Sequence, residues 1–371
     1  MKKTLLLTAT ILFFGFTAAA TPYTGGKQHK GEKQPQTVVQ SKVQHKVQHK
    51  VQHKAVVQSK GLVQKGLRSI TEDAARAHVY FLADDLLEGR QAGRRGSRLA
   101  SLYIVSQMRQ LGISPLSADG YLQPFEACAK PVLHRMPRYY VEADSVAKIK
   151  SREHCRLSLS NVLGMIPGRK SDEYVVVGAH FDHEGMNPEL AGDNIYNGAD
   201  DNASGVSAVL QIMRAFVESG AKPERTVIFA FWDGEEYGLL GSRYFVENFS
   251  GMDKVKSYLN FDMVGGNNRA DDPSYFVYFF TASHPEYGEW LRRDIAENGF
   301  RLNPNYKSWD NPVGGSDQGS FARKGIPVVW YHTDAQPHYN HPSDEASTVN
   351  YQKLADISRA SFLTAWHLAN E

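Results

Sequence analysis

Five apolar runs cut the chain between residues 174 and 332 into strand-length pieces: YVVVGAH (174–180), TVIFAFW (226–232), SYLNFDMV (257–264), YFVYFF (275–280) and IPVVWYH (326–332). Helical patterns lie between and after them, one through Val206, Val209, Leu210, Met213 and Val217, others from about Leu239, Glu286 and Tyr351. A strand without polar alternation is buried on both faces, and strands separated by helices supply the cover themselves. The pattern predicts an α/β domain with a mixed, mostly parallel central sheet and helices on both faces. Upstream, Thr71 is suited to cap a helix whose face is Ala75, Val79, Leu82 and Leu86, with Gly89 at its stop, and a second helix is expected from about Ser97 to Leu111. One domain over 67–371 is the expected unit.

What precedes that domain has a different composition. Residues 1–20 carry two lysines, an apolar run from Leu5 to Phe16 and the small residues Ala18, Ala19 and Ala20. That run is shorter than the roughly 20 residues of a membrane span, so it reads as a signal peptide and the mature chain is expected to be secreted or periplasmic, with no transmembrane segment. Residues 21–66 contain nine lysines, one glutamate and three tandem VQHK repeats. One apolar residue in four builds no core, so this tail is expected to be a disordered basic tether, with envelope contact or metal buffering through His29, His45, His49 and His53 as sharper readings. Residues 67–371 hold 31 Lys and Arg against 39 Asp and Glu, so the overall +2 is a cancellation of a basic tail against an acidic domain. An acidic domain is no nucleic-acid binder. In an oxidising compartment Cys128 and Cys155 could close a loop of about 28 residues, worth on the order of 3 to 4 kcal/mol.

The chemistry gathers where the strands end, which is where open α/β sheets place their sites. YVVVGAH delivers His180, with Asp182 two residues on; NGADDNASG (197–205) places Asp200 and Asp201 before a helix. FWDGEEYGLLG (231–241) ends a strand in Glu235 and Glu236, and SYLNFDMV holds Asp262 in an apolar setting. Adjacent or buried carboxylates are costly unless a cation compensates them. Later, PHYNHPSDE (337–345) supplies His338 and His341. Singly each motif has a bland reading as a turn, a cap or a solvated pair. Their order, H-x-D, D-D, E-E, D and a late His, supplies enough oxygen and imidazole ligands for two zinc ions.

These motifs, G-A-H-F-D-H, N-G-A-D-D-N-A-S-G, W-D-G-E-E-Y-G-L-L-G-S and N-F-D-M-V-G, together with LADDLLEGRQAGRRGS (82–97), resemble the secreted zinc aminopeptidases with co-catalytic metals, relatives of glutamate carboxypeptidases and glutaminyl cyclases. The resemblance spans almost all of 70–370. It implies that His180 and Asp262 bind one zinc, that Glu236 and a late histidine bind the other, and that Asp200 bridges them. It also implies that Asp182 orients His180, that Glu235 is the general base, and that the Asp200–Asp201 peptide is cis.

The chain departs from that family at two places. Where members read Y-H-x-P-x-D, this one reads Tyr339-Asn340-His341-Pro342-Ser343-Asp344, so the aligned position is Asn340. His341 is expected to reach the metal after a local backbone shift, with His338 in reserve. Gln318 stands where S-D-H is frequent and is expected to affect the pocket more than the metal. The implied activity is removal of N-terminal residues from peptides. A mononuclear glutaminyl cyclase, a carboxypeptidase and a catalytically silent binding relative are the competing readings.

Overall fold

The structure is a computed structural model that describes residues 60–130, 138–150, 156–309 and 314–371, all within the compact unit Ala55–Glu371. The leader, the VQHK repeats and Cys155 lie outside the described residues.

Helix α1 covers residues 60–69, so residues 60–66, expected in the tail, belong to the folded unit. Val63 packs on the core, and a Cβ on Gly66 would sit 2.7 Å from the Ala215 carbonyl oxygen and 2.8 Å from the Phe362 ring. Helix α2 (Glu72–Leu82) is capped as expected by Thr71, whose hydroxyl accepts the Ala74 N–H. It stops earlier than the apolar spacing suggests: the chain turns through Asp85–Arg90, and Leu86 is 72% exposed. After α3 (Arg95–Gln110) come β1 (Ser114–Pro115), β2 (Leu122–Lys130), β3 (Arg138–Tyr140), α4 (Ala143–Lys150), β4 (Arg156–Ile166) and β5 (Lys170–His180). The short pair β6 (Gly185–Met186) and β7 (Ile195–Tyr196) precedes α5 (Gly205–Ser219), β8 (Arg225–Trp232), α6 (Leu240–Asn248), β9 (Val255–Phe261) and β10 (Tyr275–Thr281). The chain ends with α7 (Glu286–Asn298), β11 (Asn303–Trp309), α8 (Gln318–Ala322), β12 (Val328–His332) and α9 (Tyr351–Asn370).

The main sheet has the order β11-β10-β12-β9-β5-β8-β4-β2-β3, with β1 on β4. Its centre, β12-β9-β5-β8, is parallel, while β4, β2 and β3 on one flank and β10 on the other join by antiparallel pairing. The expected α/β architecture is therefore present, with parallel pairing concentrated in the middle. Period-two alternation splits the central strands between two cores. Val175, Val177 and Ala179 of β5 and Val227, Phe229 and Phe231 of β8 face α5 and α9; Val176, Ile228, Ala230 and Trp232 face Phe245 and Phe321 on α6 and α8.

β2, β3, β4 and β11 were not legible as strands. β11 (NPNYKSW) is a polar edge strand with no fully buried residue, and β4 begins with an alternating, partly exposed half. Neither carries the unbroken apolar run that marks the centre.

Phe216 of α5 packs against Phe229 of the sheet and against Phe362 and Trp366 of α9, with ring centroids 6.2, 5.2 and 5.8 Å away. Phe216→Ala is expected to cost about 3 to 5 kcal/mol in urea unfolding, with the transition still single.

Candidate metal centre

The parallel strands β5, β8, β9 and β12 end on one edge, and each delivers a polar group there: His180 closes β5, Glu235 and Glu236 follow β8, Asp262 follows β9, and His332 closes β12. His180 is buried, and its Nδ1 lies 3.2 Å from the Asp182 carbonyl oxygen. That contact turns Nε2 toward two carboxylates, 3.4 Å from Asp201 Oδ1 and 3.5 Å from Asp262 Oδ1. Ligand atoms of His180, Asp201 and Glu236 all lie within 4.8 Å of one another. Asp201 Oδ1 is buried with no hydrogen-bond partner. Its other oxygen faces His183, 3.8 Å away, and Glu236 Oε1 accepts from His183 Nδ1 at 2.7 Å.

Asp200 points elsewhere. Its Oδ1 accepts the N–H groups of Gly265 and Gly266, both at 2.8 Å, and the Ser204 hydroxyl at 3.2 Å. The position expected for Asp200 between the two ligand groups is thus taken by Asp201, because the Gly265–Gly266 backbone captures the first carboxylate of the pair. The cis peptide follows the same one-residue displacement, falling at Asp201–Asn202. Asp344 fixes the loop from behind, accepting the N–H groups of Asp200 and Asp201 at 3.0 to 3.1 Å.

Asp182 meets His180 through its carbonyl and, with Oδ1 3.8 Å from Nδ1, through its carboxylate, which also serves the glutamate pair. Oδ1 and Oδ2 accept the N–H groups of Glu235 and Glu236 at 3.0 and 3.3 Å. It therefore holds the glutamate pair in place as well as the imidazole.

The late histidines do not join this group. His341 is exposed, its N–H bonding the His338 carbonyl at 3.0 Å; Asn340 is exposed in the left-handed region, with φ 55°. His338 Nδ1 pairs with the Ser343 hydroxyl at 3.0 Å. Tyr339 is the residue of this turn that lines the cavity of about 230 Å³ over the acids, together with Met263, Gly315, Trp330 and His332. Gln318 is buried behind the site, where its Oε1 accepts from Asn260 at 2.9 Å. Sequence reasoning missed His332, although its place at the end of a parallel apolar strand is the signal that identified His180. It also missed His183, three residues past the strand end that carries His180, and Asp344, which follows no strand end directly.

Burial dominates the electrostatics. It pushes Glu235 well above the ordinary carboxylate range, and raises Glu236, Asp233 and Asp344 to about 8 and Asp317 to about 7. Burial also disfavours charge on His180, but Asp262 and Glu235 overcome it and hold the imidazole well above its usual value. Burial likewise opposes ionisation of Asp262, and His180 reverses the sign, leaving it below the usual range. The acids thus favour a protonated imidazole at His180. The donors, one imidazole and several carboxylates with an unpartnered oxygen, fit a divalent ion such as zinc.

A carboxylate-rich group at the carboxyl edge of the parallel strands stands where open α/β sheets place their ligand sites. The sequence profile of peptidase family M28 matches residues 161–365, more than half of the chain, and the protein belongs to that family. Leupeptin-inactivating enzyme 1 of Streptomyces exfoliatus is 36% identical over 122 residues, 32% of this chain and 24% of its own length. Leucine aminopeptidase 2 of Arthroderma otae is 27% identical over 289 residues, 74% of this chain and 51% of its own. The chain thus spans about half or less of either relative. The zinc aminopeptidase of Bacillus subtilis shares the fold with a TM-score of 0.59 at 17% identity, over 81% of this chain and 96% of that one.

Carboxyl groups with raised folded values bind protons more tightly than in the unfolded chain, so their contribution is complete near pH 4 and is lost as pH rises through about 7 to 8. His180, also raised, acts in the same direction above its unfolded value of 6.5. Metal-free protein is therefore expected to melt lower at pH 8 than at pH 5, and added zinc should narrow the difference; calorimetry at the two pH values checks this.

Proposed function

We propose that the chain is a zinc-dependent exopeptidase that removes N-terminal residues from peptides. The observation that carries this is the set His180, Asp201, Glu236 and Asp262 converging with the orphaned Asp201 oxygen at its centre. His180, Asp262 and one oxygen of Asp201 would hold one ion; the other oxygen of Asp201 and Glu236 would hold a second. That second site has no imidazole from 338–341, so it would hold its ion more weakly than the first.

When bound, zinc lowers the pKa of a water and polarises a carbonyl. Glu235 is placed for the proton work: its N–H is anchored on Asp182, its carboxyl borders the cavity, and burial has already raised its proton affinity. It takes the proton of the attacking water and returns it to the departing amine, a role worth about 10² to 10⁴-fold in rate. A cavity of about 230 Å³ accommodates one terminal residue better than a chain running through it, which supports an exopeptidase. The leader would export the enzyme to the periplasm or beyond, and the basic tail would keep it near an anionic envelope. No helix among the described residues is long and apolar enough to cross a membrane.

Aminoacyl-anilides assayed with and without chelator, beside metal analysis, test the reading. Chelator-sensitive release supports it. Conversion of N-terminal glutamine to its cyclic product without anilide cleavage would instead support a cyclase, and zinc binding with neither activity a silent relative. Glu235→Gln is expected to lower kcat by at least about 10²-fold while zinc content stays unchanged. Asp201→Asn is expected to lose zinc and Asp200→Asn to retain it; the reverse result by metal analysis would overturn the assignment.

A further inference from the structure

Arg90 is a cationic side chain buried beneath the metal centre, 1% exposed, and the mechanism above makes no use of it. Its five N–H donors all reach backbone carbonyls. Nε bonds Phe181 at 2.9 Å; Nη1 bonds Leu82 at 2.6 Å and Asn197 at 2.5 Å; Nη2 bonds Gly198 at 2.9 Å and Asp201 at 3.4 Å. An arginine that merely closed the end of α2 would need the Leu82 bond alone. The other four tie the residue after His180 to the loop that ends in Asp201.

The chain is bent to put it there. Glu88, Gly89 and Arg90 occupy the left-handed region in succession, with φ 51°, 63° and 50°. A Cβ on Gly89 would collide with the Gly185 carbonyl oxygen, so the turn is pressed against β6 and admits no side chain at that position. The Arg90 carbonyl in turn accepts the His183 N–H at 3.2 Å, and His183 carries the bond to Glu236. Side chain and backbone of this one residue therefore reach the segments carrying His180, Asp201 and Glu236.

We propose that Arg90 is a positioning residue for the metal site: its guanidinium fixes the spacing between His180 and Asp201 before any ion arrives. Two opposed effects make this decidable. A buried positive charge repels a divalent cation, whereas a rigid ligand set binds it better. Burial lowers the pKa of Arg90 only to about 10, so the charge persists at neutral pH. If charge were its whole influence, removing it would tighten zinc binding. Positioning predicts the opposite sign. Lysine separates the two further, since it keeps the charge but replaces a planar five-donor fork with three donors on a flexible stem.

The proposal rests on His180 and Asp201 being zinc ligands, and the test has one arm that needs no zinc. Hydrogen exchange of metal-free protein should show residues 197–202 protected in the wild type and exchanging at least tenfold faster in Arg90→Lys. Equal exchange in the two proteins, or protection of the wild-type loop only after zinc is added, would overturn it. In the second arm, competition with a chromophoric chelator should show zinc affinity falling about 10 to 100-fold in Arg90→Lys and in Arg90→Met, each first shown by circular dichroism to be folded. Unchanged or tighter binding by either folded variant would overturn the proposal. A wild-type chain that binds no zinc would sink the ligand assignment instead and leave the exchange result to decide on Arg90; should both variants fail to fold, the wild-type exchange comparison with and without zinc decides it.

Discussion

Carboxylates brought together out of water, with too few cations to match them, are the constraint around which this domain is built. Asp201, Asp262, Glu235 and Glu236 share one strand edge, and Asp182, Asp317 and Asp344 stand behind them. Each would be expensive alone. Acids that hold the backbone in place are compensated by backbone N–H groups. Asp182 takes two from the glutamate pair, Asp200 two from Gly265 and Gly266, and Asp344 those of the aspartate loop. Asp201 Oδ1 receives none. Asp200 Oδ2 and both Asp317 oxygens are unpartnered too, so what marks Asp201 as a candidate ligand is its place within 4.8 Å of the ligand atoms of His180 and Glu236.

The parallel centre of the sheet makes the convergence possible. Parallel neighbours end on the same edge, so residues far apart in sequence arrive together, and the register that pairs Tyr331 with Phe261 sets His332 beside Asp262. His332 Nδ1 bonds the Asp262 carbonyl oxygen at 2.7 Å, which fastens the mouth of the cavity to its floor. The antiparallel flanks carry no acid of the site. They extend the sheet, and β2, β3 and β4 contribute to a smaller apolar cluster of their own.

Much of this was legible in the sequence because burial on both faces leaves an apolar run with a polar terminus, as at His180 and after Trp232. Which aspartate of the Asp200–Asp201 pair faces His180 was not. Asp200 and Asp201 are chemically alike, and what distinguishes them is which one meets the Gly265–Gly266 backbone, far along the chain beyond β9. The late histidines misled for a related reason: motif spacing fixes neither the turn that exposes His341 nor the Ser343 contact of His338. Residues 60–66 look polar as a set, yet Gly66 fits against Ala215 and Phe362, a detail of packing and not of composition. Part of the acidity of residues 67–371, first visible as half of a cancelled charge, is gathered in this centre.

Anomalous diffraction at the zinc edge, from crystals of the protein loaded with zinc, tests the central claim most directly. The account predicts a strong peak between His180 Nε2, Asp201 and Asp262, and a weaker one between Asp201 and Glu236. Density coordinated by Asp200 instead of Asp201, or by His338 or His341 in place of the strand-edge acids, would contradict it, as would the absence of any peak at saturating zinc.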